Sequence, residues 1–293
     1  MIQQIDGHTR LCGLVGNPVE HTMSPMIHNT LAAKEGRNMV YVPFQVEHGA
    51  VRAAVEGAYA LNVLGMNVTV PYKSEVLDCL KDIDAMAEKI GAVNTLVRME
   101  GGYKGYNTDM LGLYRAMCSE NIRLEGEEIL LLGAGGAARA VAYMCVSKGA
   151  SKVYMMNRTV EKAGQVAEEV NRALATDCIV PMAIEDYKGL PENRKYLAIQ
   201  ATSVGLYPDV DAAVIKDADF YKRVHTGFDL IYKPAETKFM SLVRQNGGQA
   251  YHGLKMLLYQ GVIAYELWND TSVSEEAALA VYDKMKEAMG IEE

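Results

Sequence analysis

The segment 133–138, with the sequence Gly-Ala-Gly-Gly-Ala-Ala, has the composition of a phosphate-binding turn. An apolar run at 129–132 precedes it, a helical sequence follows it, and a second apolar run lies at 152–156. A helix that begins at such a turn presents free N–H groups and the positive end of its dipole, which together hold phosphate. The order strand, glycine turn, helix, strand therefore predicts the first half of a dinucleotide-binding fold.

Each small residue of this turn has its own predicted role. We expect Gly133 to allow the tight turn, Gly135 to let the backbone approach a pyrophosphate, and 136–138 to let the helix pack closely on its strand. Glycine-rich turns also occur for packing alone, and the pattern by itself leaves that alternative open. The strand before the turn and the helix after it favour cofactor binding.

The residues after the second strand indicate which dinucleotide binds. An NAD-binding unit usually carries Asp or Glu there, which accepts a hydrogen bond from the ribose 2′-hydroxyl. This chain carries Asn157, Arg158 and Thr159, with Lys162 one turn further on. A carboxylate would repel a 2′-phosphate, whereas a guanidinium pairs with one through two hydrogen bonds. The segment therefore favours NADP, with NAD as the second option. The alternative is that Arg158 is an ordinary solvated arginine.

Another group of polar side chains lies at the end of a predicted strand at 65–70. Asn67 and Thr69 fall on one face by the two-residue period of a strand, and Lys73 begins the segment just beyond it. Open α/β sheets bind ligands at the carboxyl ends of their strands. These side chains are therefore candidates for a substrate site, although Lys73 taken alone is equally an ordinary surface lysine.

The elements that would position these residues alternate between strand and helix, which predicts an α/β fold built from βαβ units. Ser24 is placed to cap the first helix with Pro25 at its first position, and capping alone would explain this serine. In the first part of the chain we predict strands at 9–16, 39–46, 65–70, 91–97 and 103–107, a hairpin turn at Gly101-Gly102, and helices from Ser24, at 48–61 and at 74–90. Further on we predict strands at 129–132, 152–156, 178–182, 196–200, 226–231 and 249–251, and helices at 110–119, from the glycine turn to 148, and at 160–175, 254–268 and 275–289.

The whole composition is that of a globular enzyme. With 293 residues the chain can hold two domains or one large one and can bury a substantial core. Its 49% hydrophobic and 23% charged residues are ordinary for a globular enzyme. A net charge of −8 argues against nucleic acid or an anionic membrane as a partner, so an anionic ligand would depend on local cations. The five cysteines are scattered and odd in number, which favours a reducing cytoplasm over disulfides. We expect no signal peptide, no membrane span, a small-molecule substrate as partner, and a monomer or homodimer.

Together these motifs resemble the shikimate dehydrogenase family, which includes quinate/shikimate dehydrogenases. The resemblance runs from about residue 11 to 268. It rests on 16–18 (Gly-Asn-Pro), 24–25 (Ser-Pro), 67–73 (Asn-Val-Thr-Val-Pro-Tyr-Lys), 91–95 (Gly-Ala-Val-Asn-Thr), 107–109 (Asn-Thr-Asp), 133–137, 157–159 (Asn-Arg-Thr) and Gln260. Each piece is modest alone, and their common order is specific.

The resemblance implies a domain organisation and an activity. It implies an N-terminal α/β substrate domain at 1–109, a Rossmann dinucleotide-binding domain at 110–252 with a cleft between the two, and C-terminal helices at 253–293 that return to the first domain. The implied reaction is the reversible reduction of 3-dehydroshikimate to shikimate with NADPH, a step of aromatic amino-acid biosynthesis. No metal is expected.

The resemblance also implies roles for individual residues, with Lys73 as the acid/base residue and Asp109 beside it. Substrate contacts are implied for Thr22, Ser24, Asn67, Thr69, Asn94, Asp109, Tyr232 and Gln260. Cofactor contacts are implied for Gly133, Ala134, Gly135, Gly136, Ala137, Asn157, Arg158, Thr159, Lys162, Thr202, Leu230 and Gly253.

The chemistry of the reaction agrees with the roles of Lys73 and Asp109. Hydride delivery to a ketone creates an alkoxide, which needs a proton from a group within hydrogen-bond reach. The ammonium of Lys73 can supply that proton and stabilise the developing charge. Asp109 would orient the amine and favour its charged form. Which of the two moves the proton stays open, because a coupled pair titrates as a pair.

Five positions depart from the usual family pattern and leave alternatives open. They are Thr22 for serine, Met110 for glycine, Gln200 for asparagine, and His252 and Lys255 around Gly253-Leu254. One alternative is a quinate/shikimate dehydrogenase with a broader range of polyol acids or NAD use. A second is a catalytically silent NADP-binding sensor, against which the presence of Lys73, Asp109 and Gln260 together argues.

Overall fold

The computed structural model describes residues 5–191 and 193–291, and the chain divides into two compact units. The first comprises the chain up to Leu113 and from Leu257 onward, and the second is Tyr114–Met256. These boundaries lie four residues after the positions 109 and 252 expected from the sequence. The expectation about a signal peptide concerns the start of the chain, of which residues 1–4 lie outside the described part.

The first unit is built on a mixed six-stranded sheet with the order β2-β1-β3-β5-β6-β4. Strand β1 is parallel to its neighbours β2 and β3, β5 is antiparallel to both β3 and β6, and β4 is parallel to β6. The strands are β1 (Arg10–Gly16), β2 (Met39–Gln45), β3 (Gly65–Val68), β4 (Asp82–Ile83), β5 (Thr95–Met99) and β6 (Gly102–Tyr106). The helices are α1 (Ser24–Lys34), α2 (Val51–Ala60), α3 (Ala85–Ile90) and the start of α4 (Thr108–Ser119), to which the chain from Leu257 adds most of α9 (Leu254–Asn269) and α10 (Glu275–Met289).

The second unit is built on a six-stranded sheet that is parallel throughout its described pairs, with the order β12-β11-β10-β7-β8-β9. The strands are β7 (Glu128–Leu132), β8 (Lys152–Asn157), β9 (Ile179–Ala183), β10 (Tyr196–Gln200), β11 (Val224–Asp229) and β12 (Gln249–His252). The helices are α5 (Gly136–Ser147), α6 (Val160–Leu174), α7 (Ala218–Tyr221) and α8 (Lys238–Gln245), with a 3₁₀ helix at Ile184–Gly189. Numbered within the unit, the order is 3-2-1-4-5-6, which is that of a Rossmann fold with its switch point between β7 and β10.

The strands on either side of this switch point explain why the sequence pattern was readable. Tyr196–Gln200 is buried at every position, and β7 is buried from Ile129 to Leu132. Parallel strands covered on both faces read as continuous apolar runs rather than alternating ones. The predicted α/β fold class with a Rossmann unit is confirmed, as is the hairpin that joins β5 to β6.

The prediction of a single helix at 74–90 is wrong. The segment forms a 3₁₀ helix (Glu75–Cys79), the short strand β4, and helix α3. The Asp84 side chain caps α3 by accepting hydrogen bonds from two backbone N–H groups, and Gly91 ends the helix at φ 69°. An aspartate at the N-cap position favours the start of a helix, and a glycine with positive φ favours its end. Asp84 and Gly91 therefore confine the helix to the short segment between them. The sequence analysis also assigned no element to α7, α8 or the second 3₁₀ helix.

Within residues 5–191 and 193–291, no helix combines the length and apolar character needed to cross a membrane.

Candidate functional site

Lys73 and Asp109 form an ion pair in the first unit. The Nζ atom of Lys73 lies 2.6 Å from Oδ2 of Asp109, and 32% and 25% of the two side chains are exposed. The neighbouring Tyr72 is fully buried, and its hydroxyl donates a hydrogen bond to the Val46 carbonyl. Tyr72 thereby fixes the segment that carries Lys73. The pair is therefore held in place, and a substrate oxygen can still reach it.

Asn94 fixes the start of the helix that carries Asp109. Its Oδ1 atom accepts hydrogen bonds from the Thr108 backbone N–H at 2.8 Å and from the Thr108 hydroxyl at 3.1 Å. The first N–H groups of a helix have no partner within the helix, so Asn94 stabilises α4 from outside. Its amide nitrogen has no hydrogen-bond partner among the described residues, which leaves a donor for a ligand.

Thr22 and Ser24 lie together before and at the start of α1. The Thr22 hydroxyl donates to Oγ of Ser24 at 3.1 Å, and the Ser24 backbone N–H donates to Oγ1 of Thr22 at 3.2 Å. The prediction that Ser24 caps this helix is wrong, because Met23 occupies the N-cap and no side chain caps the helix. Capping therefore does not explain why a serine stands at this position.

Asn67 and Thr69 differ in their surroundings. Asn67 is 4% exposed, and its amide makes four hydrogen bonds inside the first unit. An amide group has four such positions, so a direct bond to a substrate would require exchange of one of them. Thr69 is half-buried beyond the end of β3, and its methyl group leaves no room for a side chain at Gly16, where a Cβ would lie 2.3 Å away.

Gln260 lies in α9 with 9% of its surface exposed, and its amide nitrogen donates to the Leu257 carbonyl at 3.1 Å. Gly112, which the sequence analysis did not single out, lets α4 pass close to it. A Cβ at Gly112 would lie 2.5 Å from the backbone nitrogen of Gln260. A glycine inside a predicted helix was the available signal for such a close contact.

The second unit contains a pocket of about 1040 Å³. A volume of this size is at the upper end of the range for small-molecule and cofactor sites. Its lining includes these residues expected at the cofactor: Gly133, Ala134, Gly135, Gly136, Ala137, Asn157, Arg158, Thr202 and Leu230. Tyr232, which was expected to bind the substrate, also lines it. Thr159, Lys162 and Gly253 are not among the lining residues.

The glycine turn fits a bound pyrophosphate. Gly133 has φ +116°, and a Cβ there would lie 2.9 Å from Cγ2 of Thr202, so the predicted need for glycine is confirmed. A Cβ at Gly135 or Gly136 would meet nothing within 4 Å. Close packing therefore does not explain Gly136, which corrects that prediction; Ala138, fully buried, is the residue that packs.

The start of α5 beside this turn is open. Gly135 occupies the N-cap position and no side chain caps the helix. Uncapped N–H groups at a helix start, next to exposed glycines, are suited to bind phosphate oxygens.

Two cations lie just after β8, one in the loop and one in the first turn of α6. The amide nitrogen of Asn157 donates to the Thr159 carbonyl at 2.9 Å and shapes this loop. Arg158 and Lys162 are exposed. Within the described part of the chain neither side chain has an ion-pair or hydrogen-bond partner, so both are available to an anion. Thr159 itself is the N-cap residue of α6 and its side chain does not cap the helix.

Gln200 and Asp229 lie under the pocket, and the sequence analysis missed Asp229. Oε1 of Gln200 accepts hydrogen bonds from the backbone N–H and the hydroxyl of Thr202, at 2.6 and 2.7 Å. Asp229 is fully buried and accepts from the Ile231 N–H at 3.0 Å and the Thr237 hydroxyl at 2.6 Å. Burial raises the pKa of Asp229 to about 6, although these hydrogen bonds act in the opposite direction. This network fixes the loop that follows β10 and the loop that follows β11, and both loops line the pocket.

Gly253 and its neighbours lie just after the last strand of the second unit. A Cβ at Gly253 would lie 2.2 Å from the Leu230 carbonyl oxygen, so the glycine is required for close packing on that loop. His252 accepts a hydrogen bond from the Leu254 N–H at 3.2 Å, and burial lowers its pKa. Lys255 forms an ion pair with Glu120.

In the described residues, no group of three or more His, Cys, Asp or Glu side chains is placed to hold a metal ion.

A Rossmann sheet with an open glycine turn, together with a second α/β unit that holds a lysine–aspartate pair, defines a two-domain, dinucleotide-dependent oxidoreductase. Comparison with known proteins specifies the family. The family model described as "Shikimate dehydrogenase substrate binding domain" matches residues 14–96, and the one described as "Shikimate / quinate 5-dehydrogenase" matches residues 116–183. The chain belongs to the shikimate dehydrogenase family.

Individual relatives agree along nearly the whole chain. A shikimate dehydrogenase (NADP⁺) of Desulforamulus reducens is 40% identical over 90% of this chain and 91% of its own. A shikimate dehydrogenase crystallised with NADP⁺ has a TM-score of 0.85 and 35% identity, and the match covers 96% of this chain and 97% of that one. The shikimate 5-dehydrogenase of Listeria monocytogenes, crystallised with shikimate and NAD, has a TM-score of 0.88 and 30% identity over 97% and 99% of the two chains. The expected family and enzyme class are confirmed: the protein is an oxidoreductase of this family.

Proposed function

We propose that the protein catalyses the reversible reduction of 3-dehydroshikimate to shikimate with NADPH. The observation that carries the proposal is the partly exposed Lys73–Asp109 pair, with Nζ 2.6 Å from Oδ2. A ketone reductase needs such a proton donor within hydrogen-bond reach of the substrate, whereas a nucleotide sensor does not. The names of the relatives support both the substrate and the cofactor.

Lys73 and Asp109 have complementary roles in this mechanism. Bound NADPH supplies the hydride, and negative charge then develops on the former carbonyl oxygen. The Lys73 ammonium stabilises that charge and gives up a proton to the oxygen. Asp109 orients the ammonium, and Asn94 holds Asp109 in place through the start of α4. In the opposite direction the same pair accepts the proton of the substrate hydroxyl.

The remaining polar groups of the first unit bind the substrate. The Ser24 hydroxyl donates to its carboxylate, and the Thr22 hydroxyl does so by exchanging its present hydrogen bond to Ser24 Oγ. The carboxylate needs such local donors because the chain carries a net charge of −8. Thr69, Asn94 and Gln260 contact its hydroxyl groups, and Asn67 takes part directly or by fixing its neighbours. Tyr232, which lines the pocket of the second unit, completes the set of proposed substrate contacts.

The pocket of the second unit binds the dinucleotide. Gly133, Ala134, Gly135, Gly136 and Ala137 hold the pyrophosphate at the start of α5. Thr202 and Leu230 form another part of the pocket wall, and Gly253 packs against Leu230. Asn157 and Thr159 shape the loop that presents Arg158 to the 2′-phosphate, and Lys162 follows in the first turn of α6. This arrangement favours NADP, with NAD as the second option.

The proposal also covers the roles of the two units, the cellular location with the oligomeric state, and the absence of other partners. The first unit binds the substrate and the second binds the cofactor. The protein acts in the reducing cytoplasm as a monomer or homodimer. It binds neither nucleic acid nor membrane.

The test follows NADPH absorbance with purified protein and 3-dehydroshikimate, with shikimate plus NADP⁺ as the reverse reaction. We expect turnover in both directions, and faster turnover with NADPH than with NADH. Activity on quinate but not shikimate would redirect the proposal to quinate. Binding of NADPH without turnover of either acid would show that the protein is a sensor.

A further inference from the structure

A buried polar cluster lies beneath the substrate residues of the first unit. It consists of His28, Tyr41 and Asn67, which are 0%, 1% and 4% exposed. His28 stacks on the Tyr41 ring with 4.2 Å between centroids and lies 4.9 Å from the Trp268 ring. The Tyr41 hydroxyl and Nε2 of His28 both approach Oδ1 of Asn67, at 2.8 and 3.1 Å.

The surroundings fix the orientation of every group in this cluster. Nδ2 of Asn67 donates to the Asn94 carbonyl at 3.2 Å, and a carbonyl can only accept. Oδ1 must therefore face Tyr41 and His28, and both of these must donate to it. Burial lowers the pKa of His28 to about 3, so the imidazole is neutral and carries its single proton on Nε2.

This arrangement leaves one unfavourable group. Nδ1 of His28 is buried and has no hydrogen-bond partner in the described structure. An unpartnered buried acceptor destabilises a fold, and apolar side chains of similar shape would avoid that cost. Stability alone therefore does not account for a histidine here. What the histidine provides is a donor aimed at Asn67.

The cluster connects the two ends of the proposed substrate site. At one end the Ser24 hydroxyl is hydrogen-bonded to the Tyr41 phenol. This bond lowers the pKa of Tyr41, although burial raises that pKa more strongly. His28 lies one turn after Ser24 in α1. At the other end Asn67 donates to Thr95 and to the Asn94 carbonyl, and Asn94 fixes the start of α4 next to Asp109.

We propose that Tyr41 and His28 are positioning residues that hold the Asn67 amide and thereby set the spacing between the carboxylate-binding hydroxyls and the Lys73–Asp109 pair. The inference rests on the proposed function. Neither residue touches the substrate. Each acts through Asn67, so the loss of either donor should misplace the reacting groups without removing one.

The first test compares Tyr41→Phe with Tyr103→Phe. Both changes remove a buried phenol that donates one hydrogen bond in the first unit, since Tyr103 is 1% exposed and donates to the Val63 carbonyl at 2.8 Å. A similar loss of melting temperature is expected for both. Tyr41→Phe should lower kcat/KM for shikimate about tenfold or more, because small displacements of reacting groups are costly. It should also weaken shikimate binding to the cofactor-free enzyme in calorimetry. Tyr103→Phe should change either quantity less than about twofold.

The second test separates the donor of His28 from its ring. His28→Gln keeps an amide donor near the position of Nε2, whereas His28→Leu removes it, and both lose the stacking on Tyr41. We expect kcat/KM of the Gln variant to exceed that of the Leu variant by at least about fivefold at similar melting temperatures. The KM for NADP⁺ should stay within about twofold of wild type in all variants.

The outcomes distinguish this inference from the proposed function. An inactive wild type would refute the function. An active wild type in which Tyr41→Phe and Tyr103→Phe behave alike, or in which the two His28 variants are equally impaired, would refute the positioning role.

Discussion

Lys73 and Lys104 lie in nearly the same physical setting, which makes their difference informative. Each forms an ion pair in the first unit, at 2.6 Å to Asp109 and 2.7 Å to Asp82, with 32% and 33% of the lysine side chain exposed. Lys73→Ala should lower kcat at least about a hundredfold, the scale of lost general acid–base catalysis. The Kd for shikimate should change far less.

Lys104→Ala is the control for this prediction and should retain nearly full turnover. The measurement is steady-state kinetics of shikimate oxidation for the two variants. Near-normal kcat in Lys73→Ala would remove Lys73 from its proposed acid/base role.

Arg158 is the residue on which cofactor choice is expected to depend. If its guanidinium pairs with the 2′-phosphate, Arg158→Ala should weaken NADPH binding by roughly 2–3 kcal/mol, the scale of a charge-assisted contact. NADH binding should be nearly unaffected. Arg172→Ala is the matched control, because Arg172 is an exposed arginine of α6 that pairs with Glu168. Fluorescence titration with both cofactors provides the test, and equal losses for NADPH and NADH would contradict the role of Arg158.

Thr22 is the departure most directly placed to alter specificity. Its hydroxyl donates to Ser24, and the additional methyl group, compared with serine, occupies space beside the proposed carboxylate site. One methyl group in a fitted site is worth about 1–3 kcal/mol of discrimination. Thr22→Ser should therefore change the ratio of kcat/KM for quinate and shikimate. Thr9→Ser, a threonine whose hydroxyl bonds to Asp6 and Asn38, should not. An unchanged ratio would make Thr22 a neutral replacement and direct attention to Met110 or Lys255.

Sequence reasoning at this scale identified residue types better than their hydrogen bonds. Lys73 and Asp109 were matched to family motifs, and the structure places them in contact. The saturation of the Asn67 amide, the contact at Gly112 and the open space at Gly136 depend on residues far away in the chain. A motif does not contain that information.

At the scale of elements, the buried carboxyl group of Asp229 makes the stability of the fold depend on pH. The pKa of Asp229 is raised from 3.8 to about 6 in the folded protein. The folded state thus binds this proton more tightly than the unfolded chain. The resulting stabilisation is complete below about pH 4 and is lost as the pH rises through 6, and the difference corresponds to about 3 kcal/mol.

Asp229→Asn tests this prediction because the amide keeps a similar shape and does not titrate. The free energy of unfolding should be measured in urea for both proteins between pH 4 and pH 7. We expect the value for wild type minus that for the variant to fall by about 2 kcal/mol over this range, because a small part of the stabilisation is already lost at pH 4. Other titrating groups cancel in the difference, so a flat difference would show that folding does not raise the pKa of Asp229.

Strands and helices were predicted correctly where a single hydrophobic pattern ran through the whole element. The prediction failed where a helix-capping residue interrupted that pattern. The apolar runs of β7 and β10 were recognised because both faces of these strands are buried. The segment 74–90 was misassigned because the apolar pattern was followed past Asp84, whose capping hydrogen bonds begin a new helix. Helix α8 was missed although Thr237 caps it, because only eight residues follow that cap.

At the scale of the whole molecule, the division into two units makes a prediction about ligands. The first unit contains the Lys73–Asp109 pair, and the second contains the glycine turn and the pocket. A ligand present at about 100 times its Kd stabilises the state that binds it by about 2.7 kcal/mol. That stabilisation should appear first in the unit that makes the contacts.

Amide hydrogen exchange can locate it. NADPH alone should slow exchange at the start of α5 and in the loop that carries Arg158, and shikimate alone should slow exchange around Ser24 and in the segment from Asn67 to Lys73. The Arg158→Ala variant is the control, because it should lose the NADPH effect and keep the shikimate effect. The assignment of substrate to the first unit and cofactor to the second would be contradicted by one result. In that result, NADPH without shikimate slows exchange in the shikimate segments as much as at the start of α5 and in the Arg158 loop. Since each unit has its own sheet and its own buried core, we expect the two protection patterns to be separate.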